Sequence, residues 1–246
     1  MFYLRLLICF FPYMRRETFS LNEALNGIRT ISDLLNDNQK AELRRNISIQ
    51  KFAKNEIIYN EGDVPNYLLC LISGKLKVFK SGVGGRTQII RVIKPVQYLG
   101  YRAYFANQNY VTAAAAFEPS VVCKIPMKLV YRWMEENIAL SLFFIRQLSL
   151  DLGVADQRTV SLTQKHIRGR LAEALLFLQE SYGLEEDGAT LSIYLTREDL
   201  ANLSNMTTAN AIRTLSAFAA EKIVAIDGRK IKILDMDAVK KISKIG

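Results

Sequence analysis

The sequence predicts an α+β protein in which a small antiparallel β-barrel, a long helix, and a compact helical domain with a β-hairpin follow one another. Three patterns predict it: apolar alternation of period two in the first half, an extended helical periodicity after residue 136, and two short helix patterns before an Asp-Gly hairpin. The 246 residues suffice for two domains with their own cores. Half of them are hydrophobic and 23% are charged, which is typical of a folded soluble chain.

Residues 1–20 are assigned to an N-terminal extension. The segment MFYLRLLICFFPYM at its start is apolar but too short to span a bilayer, and Pro12 interrupts it. It is interpreted either as a membrane-surface anchor or, preferably, as the product of a mis-assigned start codon, with translation beginning at Met14. We expect its removal to leave folding unchanged.

The barrel domain is assigned to residues 21–136 and opens with a helical pattern from Leu21 to Asn46. After this pattern the apolar period changes to two, and turn residues separate the runs. Many short antiparallel strands at this spacing predict a double-stranded β-helix or jelly-roll barrel. The expected helical core residues are Ile28, Ile31, Leu34, Leu35 and Leu43, and the expected strands are 57–59, 67–72, 76–80, 87–93 and 120–125.

A long dimerisation helix is predicted over residues 137–163, after a helix opened by Pro126. Apolar and small residues recur along it at intervals of three and four, which favours packing against the same helix of a second subunit. Gly153 inside it costs about 1 kcal/mol relative to alanine, a loss that close packing of two helices could offset. The alternative is that this stripe packs on the barrel. The predicted dimer interface comprises Ile145, Leu148, Leu152, Ala155, Thr159 and Leu162.

Residues 164–246 are assigned to a second domain, after a hinge near residues 163–168. Thr196 predicts the N-cap of a short helix, and Asn205 suits the left-handed turn that ends it. Thr207 predicts the N-cap of a second helix, whose inward face is Ala211, Leu215 and Phe218. Leu191, Ile193 and Leu195 alternate like one more strand before the first helix.

The hairpin after the second helix completes a winged helix-turn-helix, a DNA-binding unit. Arg213 points outward from the second helix, and the wing that follows is basic. The alternative is two packed helices with an ordinary hairpin. The expected DNA-binding residues are Thr196, Thr207, Thr208, Ala209, Asn210, Ile212, Arg213, Arg229 and Lys230. Because one winged helix covers a short site, we expect double-stranded DNA with a pseudo-palindromic sequence and a homodimer.

The segment TREDLANLSNMTTANAIRTLSAFAAEKIVAIDGRKIKILD resembles the DNA-binding end of the Crp/Fnr family of bacterial transcription regulators. The segment KNEIIYNEGDVPNYLLCLISGKLKVFK resembles that family's effector-binding barrel, and the similarity covers about residues 28–246. The resemblance implies a cytoplasmic transcription regulator with DNA, a small-molecule effector and RNA polymerase as candidate partners. The main alternative is a cyclic-nucleotide-type binding module whose helical C-terminal domain mediates protein contacts.

The expected effector pocket departs from the family pattern. The family glycine is present as Gly100, but Tyr101 stands where a ribose-binding carboxylate would be, and no arginine precedes Thr112. Without both groups, binding of cyclic AMP in the family's manner is not expected. We expect either an anionic, partly aromatic or acyl effector held with help from Arg102, or a pocket filled by its own tyrosines. The predicted lining residues are Gly100, Tyr101, Arg102, Tyr104, Tyr110, Val111 and Thr112.

The second helix also departs from the family, because Arg213 alone matches its base-contacting positions. Thr208, Ala209 and Ile212 could contact thymine methyl groups. Asn210 could bind adenine, so the predicted half-site is richer in A·T pairs.

The distribution of charge limits which functions the sequence supports. The net charge is +9, yet residues 164–246 hold 12 basic and 11 acidic residues, so the DNA-binding prediction depends on the motif. Residues 64–117 hold seven basic and no acidic residues, which favours an anion near the barrel.

Cys9, Cys70 and Cys123 are widely spaced, so we expect no metal, no iron–sulfur cluster and no other cofactor. A reducing cytoplasm and no membrane association fit this pattern. No catalytic constellation is present and the single histidine, His166, is expected to be a polar hinge residue, so the chain is not expected to be an enzyme.

Overall fold

The computed structural model describes residues 21–82 and 87–245, so the predicted extension at residues 1–20 lies outside the described residues. The described residues begin with three short helices where one helical stretch was predicted: α1 (Leu21–Gly27), α2 (Arg29–Ser32) and α3 (Asp37–Asn46). The stretch divides because Asn36 starts α3 afresh, its side chain accepting a hydrogen bond from the Gln39 backbone in a capping box. Ile28, Ile31 and Leu43 are buried as predicted.

Eight strands form two four-stranded antiparallel sheets, which confirms the predicted barrel. One sheet has the order β1-β8-β3-β6 and the other β2-β7-β4-β5. The strands are β1 (Ser48–Phe52), β2 (Ile57–Tyr59), β3 (Tyr67–Ser73), β4 (Leu76–Ser81), β5 (Thr87–Ile93), β6 (Tyr98–Leu99), β7 (Ala113–Ala116) and β8 (Ser120–Pro126), with a short helix α4 (Tyr101–Phe105) after β6. The sequence did not indicate β1, β6 or β7, because a polar strand, a two-residue strand and a run of alanines show no apolar alternation.

Strand β5 lies at the edge of its sheet and carries a β-bulge. Val78 pairs with Arg91 and Phe79 with Ile89, so Ile90 is the additional residue on β5. A bulge of this kind leaves the inserted residue out of the ladder and bends the strand. The backbone of β5 therefore has polar groups that the sheet does not satisfy.

Two helices follow the barrel, α5 (Met127–Glu136) and α6 (Ile138–Gln164), and α6 confirms the predicted long helix. Asn137 caps α6 by accepting from the Leu140 backbone at 3.2 Å. Leu140 and Phe144 are buried against the barrel, whereas Ile138 is 77% and Leu152 63% exposed. Among the described residues, α6 is the one helix long and apolar enough to cross a membrane by length and composition.

The C-terminal part contains the predicted two helices and hairpin around one apolar core. Its elements are α7 (Ile167–Tyr182), α8 (Arg197–Leu203), α9 (Thr208–Ala220), β9 (Val224–Asp227), β10 (Lys230–Ile233) and α10 (Met236–Ile245). The strand predicted through Leu191, Ile193 and Leu195 is wrong, although all three side chains are buried. This segment forms isolated bridges because its successive amides bond to two different partners, Leu191 N to Ile231 O and Ser192 N to Gly183 O.

Candidate nucleic-acid interface and sensory barrel

Side-chain caps fix both helices of the helix-turn-helix. Thr196 Oγ1 accepts from the Asp199 amide at 3.0 Å, and Thr207 Oγ1 accepts from the Asn210 amide at 3.2 Å. Between the helices, Asn205 has φ 48°, the left-handed conformation predicted for it. The Thr196 hydroxyl also donates to the Asp199 carboxylate at 2.8 Å, so it is already engaged within the chain.

Helix α9 presents an outward surface, here called the reading face, formed by Thr208, Ala209, Asn210, Ile212 and Arg213. All but the half-buried Asn210 are exposed, and the opposite side of the helix packs into the core. Arg213 Nη2 donates to Asn210 Oδ1 at 2.6 Å. One guanidinium is therefore held in place on a surface whose other residues are small or uncharged.

The wing is the hairpin formed by β9 and β10. It lies beside an acidic loop, residues 185–187, that the sequence did not place there. Lys232 Nζ is 3.1 Å from Asp187 Oδ2, and Lys230 Nζ is 3.9 Å from Glu185 Oε2. The amides of Thr190 and Ala189, the Thr190 hydroxyl and Lys232 hold the pKa of Asp187 well below its usual range. Two wing lysines therefore have intramolecular carboxylate neighbours. The predicted contact residue Arg229 is exposed.

The wing is also fastened to the helix-turn-helix. Arg197 Nη2 donates to the Gly228 carbonyl at 2.7 Å, joining the start of α8 to the tip of the hairpin, where Gly228 has φ 54°. Nothing local to Arg197 indicated this role, because its partner lies far along the chain.

Two stacked tyrosines lie in the apolar core of the barrel. The rings of Tyr59 and Tyr110 lie 3.8 Å apart at 15°, and both are buried within the barrel core. Burial raises the pKa of both hydroxyls, so they stay neutral, and the nearby Thr112 side chain opposes the rise in the pKa of Tyr59. Arg91 and Arg102 are near enough to oppose the rise in the pKa of Tyr59. Sequence reasoning missed Tyr59, which lies on the three-residue strand β2.

Gly100 is required by the backbone around it. It has φ 96°, and a Cβ there would lie 2.4 Å from the Tyr67 carbonyl and 3.0 Å from the Tyr110 hydroxyl. The next residue, Tyr101, packs beneath α6 and donates to Asp151 Oδ2 at 2.6 Å, an oxygen that Arg91 also contacts at 2.8 Å. Tyr101 therefore joins α4 to α6.

Some of the predicted pocket residues lie inside the barrel and others lie at its surface. Tyr110 and Thr112 lie beside Tyr59, with Gly100 under the Tyr110 hydroxyl. Arg102 and Val111 are exposed, and the ring of Tyr104 contacts those of Phe105 and Tyr131. The structure thus gathers three of the seven predicted residues around the tyrosine stack.

The basic segment 64–117 carries less free charge than its sequence indicated. Four of its cations contact acids from other parts of the chain: Lys75 with Glu118, Lys77 with Asp199, Lys80 with Glu61, and Arg91 with Asp151. These pairs weaken the positive field that favoured an anion. Within residues 21–82 and 87–245, no group of three or more His, Cys, Asp or Glu side chains could hold a metal ion.

Comparison with known families agrees with this architecture. Residues 49–137 match the cyclic nucleotide-binding domain family, and residues 169–242 match the Crp-like helix-turn-helix domain family. The chain is 22% identical over 198 residues to the CRP-like cAMP-activated global transcriptional regulator of Mycobacterium tuberculosis, covering 80% of this chain and 88% of that one. It is 25% identical over 211 residues to the anaerobic regulatory protein of Pasteurella multocida, covering 85% and 77%.

Solved structures show the same fold. A putative transcriptional regulator of the Crp/Fnr family from Eubacterium rectale superposes with a TM-score of 0.75 at 20% identity, covering 89% of this chain and 99% of that chain. FixK2 from Bradyrhizobium japonicum superposes with a TM-score of 0.72 at 18% identity, covering 80% and 96%. The chain belongs to the Crp/Fnr family of transcription regulators.

Crp/Fnr proteins are DNA-binding regulators rather than enzymes, and they act as dimers. In this Crp/Fnr chain, α8 and α9 lie within the matched helix-turn-helix domain, and the barrel belongs to the matched cyclic nucleotide-binding domain. The family includes a cAMP-activated regulator and anaerobic regulators.

Proposed function

We propose that this chain is a cytoplasmic, homodimeric transcription regulator that binds a pseudo-palindromic DNA site and does not bind cyclic AMP in the usual manner of its family. The observation that carries the DNA-binding part is the reading face: the outward surface of a helix that Thr207 caps at its N-terminus, on which Asn210 holds Arg213 outward. A guanidinium in a fixed orientation suits bidentate hydrogen bonding to guanine in the major groove.

An exposed apolar stripe on α6 supports the homodimer. Ile145 and Leu152 of the predicted interface are exposed, and Ile138 and Leu142 extend the same stripe toward the start of the helix. A Cβ at Gly153 would meet nothing within 4 Å, so packing within the chain does not explain this glycine. A second α6 would bury the stripe and use the space that the glycine leaves.

The other predicted interface residues differ in exposure. Ala155 and Thr159 are exposed, whereas Leu148 and Leu162 are half-buried, and Leu148 packs against the core beneath α6. We therefore place the dimer contact nearer to Ile138 and Leu142 than the sequence indicated.

A membrane role for α6 is less compatible with its contacts. Asp151 binds Tyr101 and Arg91, and Arg158 binds backbone carbonyls of β5, so the middle of α6 is held beside the barrel. A spanning helix would have to leave these polar contacts for hydrocarbon, at high cost. The structure thus favours a dimer interface over a membrane span.

The sensory barrel is proposed to be closed to cyclic AMP because Tyr59 and Tyr110 occupy its interior. A ligand would have to displace a buried ring stack, and Tyr101, which stands at the position of the ribose-binding carboxylate, faces Asp151 instead. An anionic effector near Arg102 is the second candidate. RNA polymerase is the proposed protein partner of the DNA-bound form.

Selection of bound sequences from a random DNA pool tests the function. We expect enrichment of a two-fold symmetric site with A·T-rich half-sites, and a dimer in sedimentation. A Leu142→Glu, Leu152→Glu variant should be monomeric and should lose specific binding, because one half-site supplies too little contact. Absence of any enriched sequence would favour the alternative, a small-molecule-binding module whose helical end contacts proteins.

A further inference from the structure

Arg158 on α6 is a half-buried cation that bonds to backbone carbonyls of two other elements. Its guanidinium donates to Ile89 O at 2.5 Å and Ile90 O at 2.8 Å on the barrel, and to Leu203 O at 3.0 Å in the helix-turn-helix. Burial lowers the pKa of Arg158. Removing a guanidinium from water is costly unless its donors are hydrogen-bonded, so these bonds favour one geometry of the side chain.

The three carbonyls are available for a structural reason. Ile90 is the inserted residue of the bulge on edge strand β5, so the ladder leaves backbone groups of β5 free there. Leu203 is the last residue of α8, where helical carbonyls have no intrahelical partner. Arg158 thus satisfies two kinds of unpaired carbonyl at once and joins three elements at one point.

A second arginine holds the same end of α8 from within the DNA-binding domain. Arg170 on α7 donates to Ser204 O at 3.2 Å, and to Lys165 O and Leu162 O at 3.3 and 3.4 Å. The turn that leads into α9 begins directly after Ser204. The two arginines therefore fix the point from which α9 starts.

Other contacts across the same junction support a fixed docking. Lys77 Nζ of the barrel lies 2.6 Å from Asp199 Oδ1 of α8, and both side chains are largely buried. Ile89 and Val92 of β5 share one apolar core with Leu200 of α8. The barrel and the helix-turn-helix therefore meet through an apolar contact surrounded by polar bonds.

We propose that Arg158 is a positioning residue for DNA recognition, which sets the place of α9 relative to the barrel by bonding the edge of β5 to the end of α8. This inference rests on the proposed DNA binding. It adds the residue that holds the reading face in a fixed position relative to the barrel. Arg158 does not belong to the reading face itself. Its effect on DNA is therefore exerted through the placement of the helix-turn-helix.

Arg158→Met tests the proposal in the full-length protein, because methionine keeps an apolar side chain without donors. We expect faster amide hydrogen exchange in peptides covering residues 87–93 and 197–206, with the rest of the barrel unchanged. Affinity for the selected DNA site should fall about tenfold, since fewer molecules are in the binding arrangement. Affinity for random DNA should change by less than about twofold, since the phosphate contacts are retained.

Two further variants control for charge and for packing. Arg146→Met removes the same charge from an exposed position on the same helix and should leave both exchange and affinity as in wild type. Arg158→Lys should recover part of the loss, because an ammonium still offers donors to carbonyls. If Arg158→Met does not fold, Lys77→Met becomes the test. We then expect the same rise in amide exchange and the same loss of affinity for the selected site, both smaller in size.

Several results would overturn the proposal. Unchanged exchange in the folded variant would show that Arg158 does not hold the junction, and an equal loss on selected and random DNA would show a simple charge effect. Higher affinity in Arg158→Met would mean that the docked arrangement opposes DNA binding. Should the selection enrich no DNA, the proposed function fails, while the exchange measurement still decides whether Arg158 joins the domains.

Discussion

The interior of the barrel and the reading face of α9 hold their polar groups in opposite ways. In the barrel, Tyr59 and Tyr110 stack on each other and their hydroxyls are buried and neutral. On α9, Asn210 and Arg213 bond to each other at the surface, where DNA can reach them. The site expected to receive a small ligand is occupied by side chains, whereas the proposed site for DNA is exposed and its arginine is held in one orientation. The buried tyrosine stack and the proposed DNA-binding surface therefore lie in different regions of the molecule.

The largest effect is expected where the barrel is opened. Tyr110→Ala should lower the free energy of unfolding by about 3–5 kcal/mol, the range for removing a large buried aromatic side chain. Tyr110→Phe keeps the ring and is the matched control, with a much smaller loss. Urea denaturation of the three proteins measures this. A similar stability for Tyr110→Ala and wild type would mean that the stack does not fill the core.

The second largest effect is expected for substitutions on the reading face. Arg213→Ala should cost about 1–3 kcal/mol on the selected site, as for a bidentate contact to guanine, and should relax the preference at one base pair. Asn210→Ala should cost less, because it only frees the guanidinium to move. Fluorescence anisotropy with selected and mismatched duplexes separates these effects. Equal small losses on all duplexes would make Arg213 a phosphate contact.

A smaller effect is expected at the wing. Asp187→Asn removes the carboxylate beside Lys232, so the lysine becomes available to phosphate and the slope of log affinity against log salt should steepen by about one. The increase should be the same for selected and random DNA, since phosphate contacts carry no sequence information. Glu198→Gln, an exposed acid at the start of α8, is the control for net charge. An unchanged slope in Asp187→Asn would place Lys232 away from DNA.

The smallest expected effect is that of cyclic AMP on the wild-type protein. At millimolar nucleotide, a site with micromolar affinity would add about 4 kcal/mol of stability, and we expect no thermal shift. A clear shift that Arg102→Ala abolishes would restore a nucleotide-binding barrel and remove the contrast between the two regions.

The two regions also differ in how far the sequence predicts them. Thr196, Asn205 and Thr207 act on their immediate neighbours, so caps and turn could be assigned from a few consecutive residues. The barrel interior depends on Tyr59 of β2 meeting Tyr110 in the loop before β7, and no local pattern indicates such a pairing. The same holds for Asp187 beside the wing and for Arg158 at the domain junction, where each partner is distant in sequence.

Gly100 has a consequence for genetics. Any side chain at this position would collide with the Tyr67 carbonyl, whether or not the barrel ever holds a ligand. A screen for regulators that fail to respond to a signal would therefore recover substitutions at Gly100 as null alleles with low protein abundance. These alleles would lose function because the misfolded protein is degraded in the cell. The presence of this glycine therefore does not show that the barrel binds an effector.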